Sequence, residues 1–184
     1  MLAAGLSRRY GEGDKLLHPF RGQPLCLHIA ETLSVLPFRR RLVVCSNPQV
    51  AHLFTEQGFE AVQNSDPQAG LGSSLHVAMG VIEDLSSVLV CLADMPLVSA
   101  AHLEALMQAF HAGETIAVAS SAANYLGPPA IFSAASLRSL PPTGESGART
   151  LLRGASLVSA SPAELTDFDT RASLEAARYQ QTRI

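Results

Sequence analysis

Three features of the sequence predict an α/β fold with a mostly parallel sheet. Short apolar runs recur along the chain, helix-like stretches alternate with them, and a glycine-punctuated loop stands at the start. Alternation of strand and helix is the signature of a parallel sheet clad by helices. The apolar runs do not alternate strictly with polar residues, which suits strands covered on both faces.

The elements are expected in the following order. "LAAGLSRRYGEGDKLL", Leu2 to Leu17, is a turn-rich loop after a scrap of apolar residues. Only Met1 to Ala4 precede its first glycine, so the strand leading into it is clipped: unusually short, or begun before the chain does. A helix is expected over Leu25 to Leu36, a strand over "RLVVCS" (Arg41 to Ser46) and a helix over Pro48 to Gln57. A helix over Ser73 to Glu83 leads to the strand "SVLVCLA" (Ser87 to Ala93), then a helix over Ala100 to His111. Strands over "TIAVASS" (Thr115 to Ser121) and "PAIFS" (Pro129 to Ser133) follow. No internal repeat or linker breaks the pattern, so residues 1–184 read as one domain with enough chain for a sizeable core.

Composition narrows the function classes. Hydrophobic residues make up 47% and charged residues 16%, the balance of a globular chain. With a formal net charge of -3 and no standout basic tract, nucleic acid is not an expected partner. The apolar runs are too short to span a bilayer, and no secretory signal is apparent, so no membrane partner is expected. Cys26, Cys45 and Cys91 are odd in number and widely spaced, which reads as buried reduced thiols in a cytoplasmic protein. The six histidines show no metal-ligand spacing.

Parallel sheets bind ligands beyond the carboxyl ends of their strands, so residues just after each strand are the informative ones. The opening loop matches neither the Walker-type nor the dinucleotide glycine pattern. Gly5 and Gly11 would let backbone N–H groups face an anion, while Arg8, Arg9 and Lys15 would supply charge. A solvated basic loop accounts for the same residues equally well. Lys15, as a loop residue, is expected to lie outside the core. In "LADMP", Asp94 directly follows an apolar strand; it reads as a helix cap or as a hard oxygen ligand for Mg²⁺. In "TDFDT", Asp167 and Asp169 share a face if the segment is extended, and Asp169 reads as a second metal ligand or as a cap.

Taken in order, these segments resemble the molybdenum-cofactor nucleotidyltransferase family. The opening stretch resembles L-A-[AG]-G-x-S-x-R-[MF]-G-x-x-K-x-L, with one extra residue before the lysine. "GLGSSL" (Gly70 to Leu75) resembles a Gly-x-Gly-x-Ser-Leu segment, and "ADMP" the metal-binding D-[MQ]-P. "GPPAIF" (Gly127 to Phe132) resembles G-x-P-x-x-F, "GESGARTLL" (Gly144 to Leu152) resembles G-D-x-G-A-R-x-L-L, and "DFDTRASL" resembles D-[IV]-D-T-P-E-D-L. Each match is weak alone; the ordered set covers nearly the whole chain. The chain departs from the pattern at Pro128, where some members have His, at Glu145 for Asp, and at Arg171 for Pro.

The resemblance implies a three-layer α/β/α Rossmann-like nucleotidyltransferase fold and, most closely, a cytidylyltransferase joining CTP to the molybdopterin cofactor with release of pyrophosphate. It implies Mg²⁺ held by Asp94 and Asp169, and catalytic roles for Arg9, Lys15 and Asp94, with Arg8 a weaker candidate. Nucleotide contacts would come from Leu2, Ala3, Ala4, Gly5, Ser7, Arg8, Arg9, Lys15, Gly70, Gly72, Ser73 and Ser74. The acceptor would meet Pro128, Pro129, Glu145, Gly147 and Arg149. Gly70 to Ser74 also read as a turn with a helix cap, and Arg149 as a surface ion-pair residue. A molybdoenzyme client or its chaperone is an implied partner. Two other functions stay open: a transferase of the same fold using GTP or another phosphorylated acceptor, and a non-catalytic carrier of the cofactor.

Overall fold

The computed structural model describes residues 1–7, 9–141 and 148–179. The opening strand β1 is two residues long, Leu2–Ala3, and a single 3₁₀ turn follows at Lys15–Leu17. A small hairpin, β2 (Pro19–Phe20) and β3 (Gln23–Pro24), leads into α1 (Leu25–Ser34). Next come β4 (Leu42–Cys45), α2 (Pro48–Glu56), β5 (Glu60–Gln63), α3 (Leu71–Val81) and β6 (Ser87–Val90). The second half holds α4 (Ala100–Ala112), β7 (Ala117–Ala122), β8 (Tyr125–Ser133), α5 (Ala134–Arg138), β9 (Ser156–Ser159) and α6 (Arg171–Tyr179).

Local chemistry starts the helices where the sequence suggests. Asn47 accepts a hydrogen bond from the Gln49 N–H and Pro48 takes the first turn of α2. Ser99 caps α4 through the His102 N–H. Gly70, at φ 86°, turns the chain into α3 through a conformation that side chains rarely adopt.

Strands β1, β4 and β5 pair in parallel in the order β1-β4-β5, and a second group runs β6-β8-β7-β9. A parallel bridge between Leu2 and Leu92 joins them, with the Leu2 N–H bonded to the Cys91 carbonyl at 2.9 Å. Of the central strands only β8 runs antiparallel, lying between β6 and β7. Successive residues of the inner strands enter opposite cores. Val43 and Cys45 pack with α1, α2 and α4, while Val44 packs with α3 and α5. That makes three layers, as the resemblance implies. The predicted strand at Pro129 to Ser133 begins earlier, at Tyr125, and forms a hairpin with β7.

A third cluster closes the carboxyl end of the sheet: Tyr10, Phe20, Leu25, Phe168 and Leu174. It joins the opening loop to the segment before α6, two pieces from opposite ends of the chain.

Candidate active site

Phe168 places the acidic residues beside it. Its ring is buried against Phe20, with centroids 5.3 Å apart, and its N–H donates to the Asp94 carbonyl at 3.1 Å. Asp169 thereby comes to the end of β6, where Asp94 already stands.

Lys15 meets both. Asp14 caps the 3₁₀ turn, accepting from the Leu16 N–H at 3.0 Å and from Asn47 Nδ2 at 2.8 Å. The next residue is thereby aimed inward. Lys15 Nζ donates to Asp94 Oδ2 at 2.7 Å and to Asp169 Oδ1 at 2.6 Å. Arg9 Nη1 donates to the other oxygen, Asp169 Oδ2, at 2.8 Å. Lys15 is 7% exposed, so the expectation of a loop lysine outside the core is corrected. Its stem fills the floor of the site and its charge is neutralised there.

The acidities follow from this arrangement. Burial alone would lower the Lys15 pKa, but the paired Asp94 and Asp169 carboxylates outweigh it and hold the ammonium above its ordinary value. The hydrogen bond from Lys15 holds the Asp169 carboxyl below the usual range. Asp167 moves the other way: desolvation first, then the charges of Asp169 and Asp94, push it up.

A cavity of about 400 Å³ opens above this cluster. Leu2, Ala3, Ala4, Gly5, Ser7, Arg9, Lys15, Gly70, Ser74, Asp94 and Asp169 line it, which gathers most of the sequence-predicted nucleotide and metal residues. Gly72 and Ser73 are buried outside that lining. The Ser73 hydroxyl instead donates within its own turn, to the Asp66 and Gly70 carbonyls. Pro128, Pro129 and Arg149 also lie outside it, with Pro129 buried in β8 and Arg149 exposed. Arg8, Glu145 and Gly147 fall outside the described residues.

Sequence reasoning missed Asn64. Its amide is buried and donates to Ser73 Oγ at 2.9 Å and Ser74 Oγ at 3.0 Å, while its Oδ1 accepts from the Asp66 N–H. It fastens the turn carrying Pro67, Gln68 and Gly70 against the first turn of α3, which shapes one wall of the cavity. The cluster "NSDP" carried the signal: four turn-forming residues after a strand, at the end of the sheet where ligands sit. Arg171, where the family pattern has Pro, lays its guanidinium over the Tyr10 ring at 5.5 Å and so braces the third cluster.

A hard cation suits this donor set. Among the described residues Asp94 Oδ1 is buried with no hydrogen-bond partner, and each Asp169 oxygen accepts one hydrogen bond and keeps a lone pair. Among the described residues no group of three or more His, Cys, Asp or Glu side chains gathers as a self-sufficient metal cage.

Comparison with known proteins extends the picture. A profile of the MobA-like NTP transferase domain matches residues 1–162. The bifunctional protein GlmU of Cupriavidus necator is 32% identical over 109 residues, 58% of this chain and 24% of that protein. The chain therefore spans about a quarter of the length of the curated relatives it matches. Rv0371c from Mycobacterium tuberculosis H37Rv superposes with a TM-score of 0.80 at 20% identity, covering 98% of this chain and 95% of that one. A manganese complex of Rv0371c superposes at 0.75 and 21% identity, covering 100% and 96%. Molybdopterin-guanine dinucleotide biosynthesis protein A from Archaeoglobus fulgidus gives a TM-score of 0.68 at 19% identity, covering 100% and 97%. These structures share the nucleotidyltransferase fold. The profile takes in every strand of the central sheet and the opening loop, and on that match the chain belongs to the MobA-like NTP transferase domain family, the nucleotidyltransferases its motifs resemble.

Proposed function

We propose that the protein is a cytidylyltransferase that joins CTP to molybdopterin and releases pyrophosphate. The observation that carries this reading is the meeting of Arg9, Lys15, Asp94 and Asp169 in a cavity also lined by Ala3, Ala4 and Gly5. A carrier of the finished cofactor needs no such combination of cations and carboxylates; a transferase handling a triphosphate does.

The terminal phosphate of molybdopterin is the nucleophile. A phosphomonoester has a second pKa of about 6, so at neutral pH it is largely dianionic and needs no general base. One of its oxygens forms a bond to the α-phosphorus of CTP while the bond to the leaving pyrophosphate breaks. Two anions must meet for this, so the protein works by positioning and by neutralising charge. Asp94 and Asp169 would hold Mg²⁺, which when bound would supply positive charge to offset that of the phosphates. Lys15 and Arg9 stabilise the charge growing on pyrophosphate. The backbone of Ala3 to Gly5 and the turn at Gly70, with Ser74, enclose the base and ribose. Pro128, Pro129, Glu145, Gly147 and Arg149 belong to the acceptor side of the reading, with Arg149 bound to the acceptor phosphate.

The Ala4 side chain argues for a pyrimidine. It is 6% exposed and lines the cavity; on this reading its methyl group would take space that a purine needs close to the loop. One methyl discriminates by about 1–3 kcal/mol, so the base edges must contribute the remainder. The test measures pyrophosphate release with molybdopterin, in competition between CTP and GTP at fixed Mg²⁺. Wild type should prefer CTP and Ala4→Gly should narrow the gap. A wild-type preference for GTP would replace the cytidylyl reading with a guanylyl one. Absence of release from either nucleotide would favour the carrier.

A further inference from the structure

Three of the four oxygens of the dicarboxylate already accept from a cationic side chain of the protein. Asp169 Oδ1 accepts from Lys15 and Asp169 Oδ2 from Arg9. Asp94 Oδ2 accepts from Lys15, and among the described residues Asp94 Oδ1 has no partner. A divalent ion that takes an oxygen from each carboxylate must therefore crowd a cationic side chain on Asp169 or take its place. The two candidates are held very differently. The Arg9 side chain is 78% exposed and touches one carboxylate, whereas the Lys15 side chain is 9% exposed and touches both.

We infer that Lys15 is the resident counter-cation of Asp94 and Asp169, and that it yields its place to a divalent ion when a triphosphate offers the ammonium another partner. This rests on the reading of the site as one for metal-assisted nucleotidyl transfer. The electrostatics run in one direction. Lys15 screens the repulsion between two carboxylates brought together, so a free divalent ion gains little by entering and must leave the ammonium poorly placed. A triphosphate reverses this balance. It supplies anionic oxygens for Lys15 to turn to and for the ion to bind at the same time. Metal and nucleotide thus enter as a unit, and the site stays closed to free divalent ions.

The test needs neither nucleotide nor acceptor. Mn²⁺ is titrated into the purified full chain and followed by electron paramagnetic resonance, comparing wild type with Lys15→Gln and Arg9→Gln. Lys15→Gln should bind Mn²⁺ roughly tenfold or more tightly than wild type, since removing the ammonium leaves two carboxylates facing each other. Arg9→Gln should change the affinity much less. In thermal denaturation, Mn²⁺ should raise the melting temperature of Lys15→Gln and leave wild type nearly unmoved. If the variant is unfolded on its own, recovery of a cooperative transition on adding Mn²⁺ supports the inference, and no recovery overturns it. Equal or weaker Mn²⁺ binding by Lys15→Gln also overturns it, as does a gain confined to Arg9→Gln. Wild type that releases no pyrophosphate from CTP would remove the cytidylyl reading and leave this result standing.

Discussion

Asp167 and Asp169 stand one residue apart with their acidities moved in opposite directions. A hydrogen bond from Lys15 holds Asp169 low, whereas Asp167, exposed at the surface but partly desolvated and beside like charges, is pushed up. Each shift has a signature in stability. Asp169 stabilises the fold above its unfolded pKa, and that contribution fades as pH falls through its lowered folded value. Asp167 does the reverse: its ionised form costs stability above its raised folded pKa, and the cost disappears below the unfolded value. Asp167→Asn should therefore raise the melting temperature at pH 7, with the gain shrinking as the buffer is taken down through the carboxylate range. A gain that is flat with pH, or a loss at pH 7, would show that Asp167 is not strained in the way described. Lys15 carries the second expectation at this scale. Lys15→Ala should lower turnover by about 10²–10³, the usual cost of one charge-stabilising contact. Because the side chain is buried between two carboxylates, the variant should also melt at a lower temperature than wild type. Steady-state rates and melting curves on the same preparation separate the two effects, and full activity with unchanged nucleotide affinity would remove Lys15 from the site.

At the scale of elements, the parts that were legible in the sequence are those buried on both sides. The central strands β4, β6 and β7 announce themselves as apolar runs, and α1, α2, α3 and α4 lie within a few residues of their expected limits. The edge strands did not stand out. "EAVQ" at β5 and "SLVS" at β9 are largely exposed and each pairs on one side only, so neither carries an apolar run to mark it. Arg9, Lys15, Asp94 and Asp169 were legible because motif spacing preserves loop positions. Asn64 was not, because its work is done by a buried amide bonding to groups that no short pattern links to it. Asn64→Ala should lower unfolding free energy by about 1–3 kcal/mol, since it leaves buried partners without hydrogen bonds. It should also weaken nucleotide binding by loosening the wall at Pro67 to Ser74, which denaturant titration and nucleotide calorimetry would show. Preserved binding with reduced stability would confine Asn64 to a packing role. The hairpin of β7 and β8 has its own device. Its register shifts at Ser120, where Pro128 and Pro129, which lack N–H groups, stand out of the ladder. Their carbonyls are taken by side chains, Pro128 by the Tyr125 hydroxyl and Pro129 by Ser120 Oγ at 2.5 Å. Since the Ser120 proton goes to Pro129, His102 Nε2 must be the donor in its 2.7 Å bond to Ser120. Gly127 allows the Tyr125 ring to fold back, for a Cβ there would meet Tyr125 Oη at 2.9 Å. Gly127→Ala should cost about 1–3 kcal/mol in denaturant unfolding, and wild-type stability would show that the ring moves aside freely.

Across the whole molecule, the two large cores share one sheet, since neighbouring residues of a single strand enter opposite sides of it. Neither side can loosen without disturbing the backbone that the other is built on. The third cluster adds a long-range tie, because Phe168 and Leu174 from near the end of the chain pack on Phe20 and Leu25. Calorimetry should accordingly show one transition, with its van't Hoff and measured enthalpies equal. Phe132→Ala, on one face of the sheet, should cost about 3–5 kcal/mol and lower that single transition rather than split it. Among the described residues no helix is long and apolar enough to cross a membrane. The cysteines turn this architecture into a clock. Cys26, Cys45 and Cys91 are free and buried, and they belong to three different elements or strand ends of one core. Burial pushes the Cys26 and Cys91 thiols up to about 12 and raises that of Cys45 as well, so at neutral pH almost none of their thiolate is present. An alkylating reagent therefore meets an inert native surface at these positions and reacts only during excursions that expose the core. If those excursions involve the whole sheet, the three sulfurs should be modified at one common rate, set by how often the molecule opens.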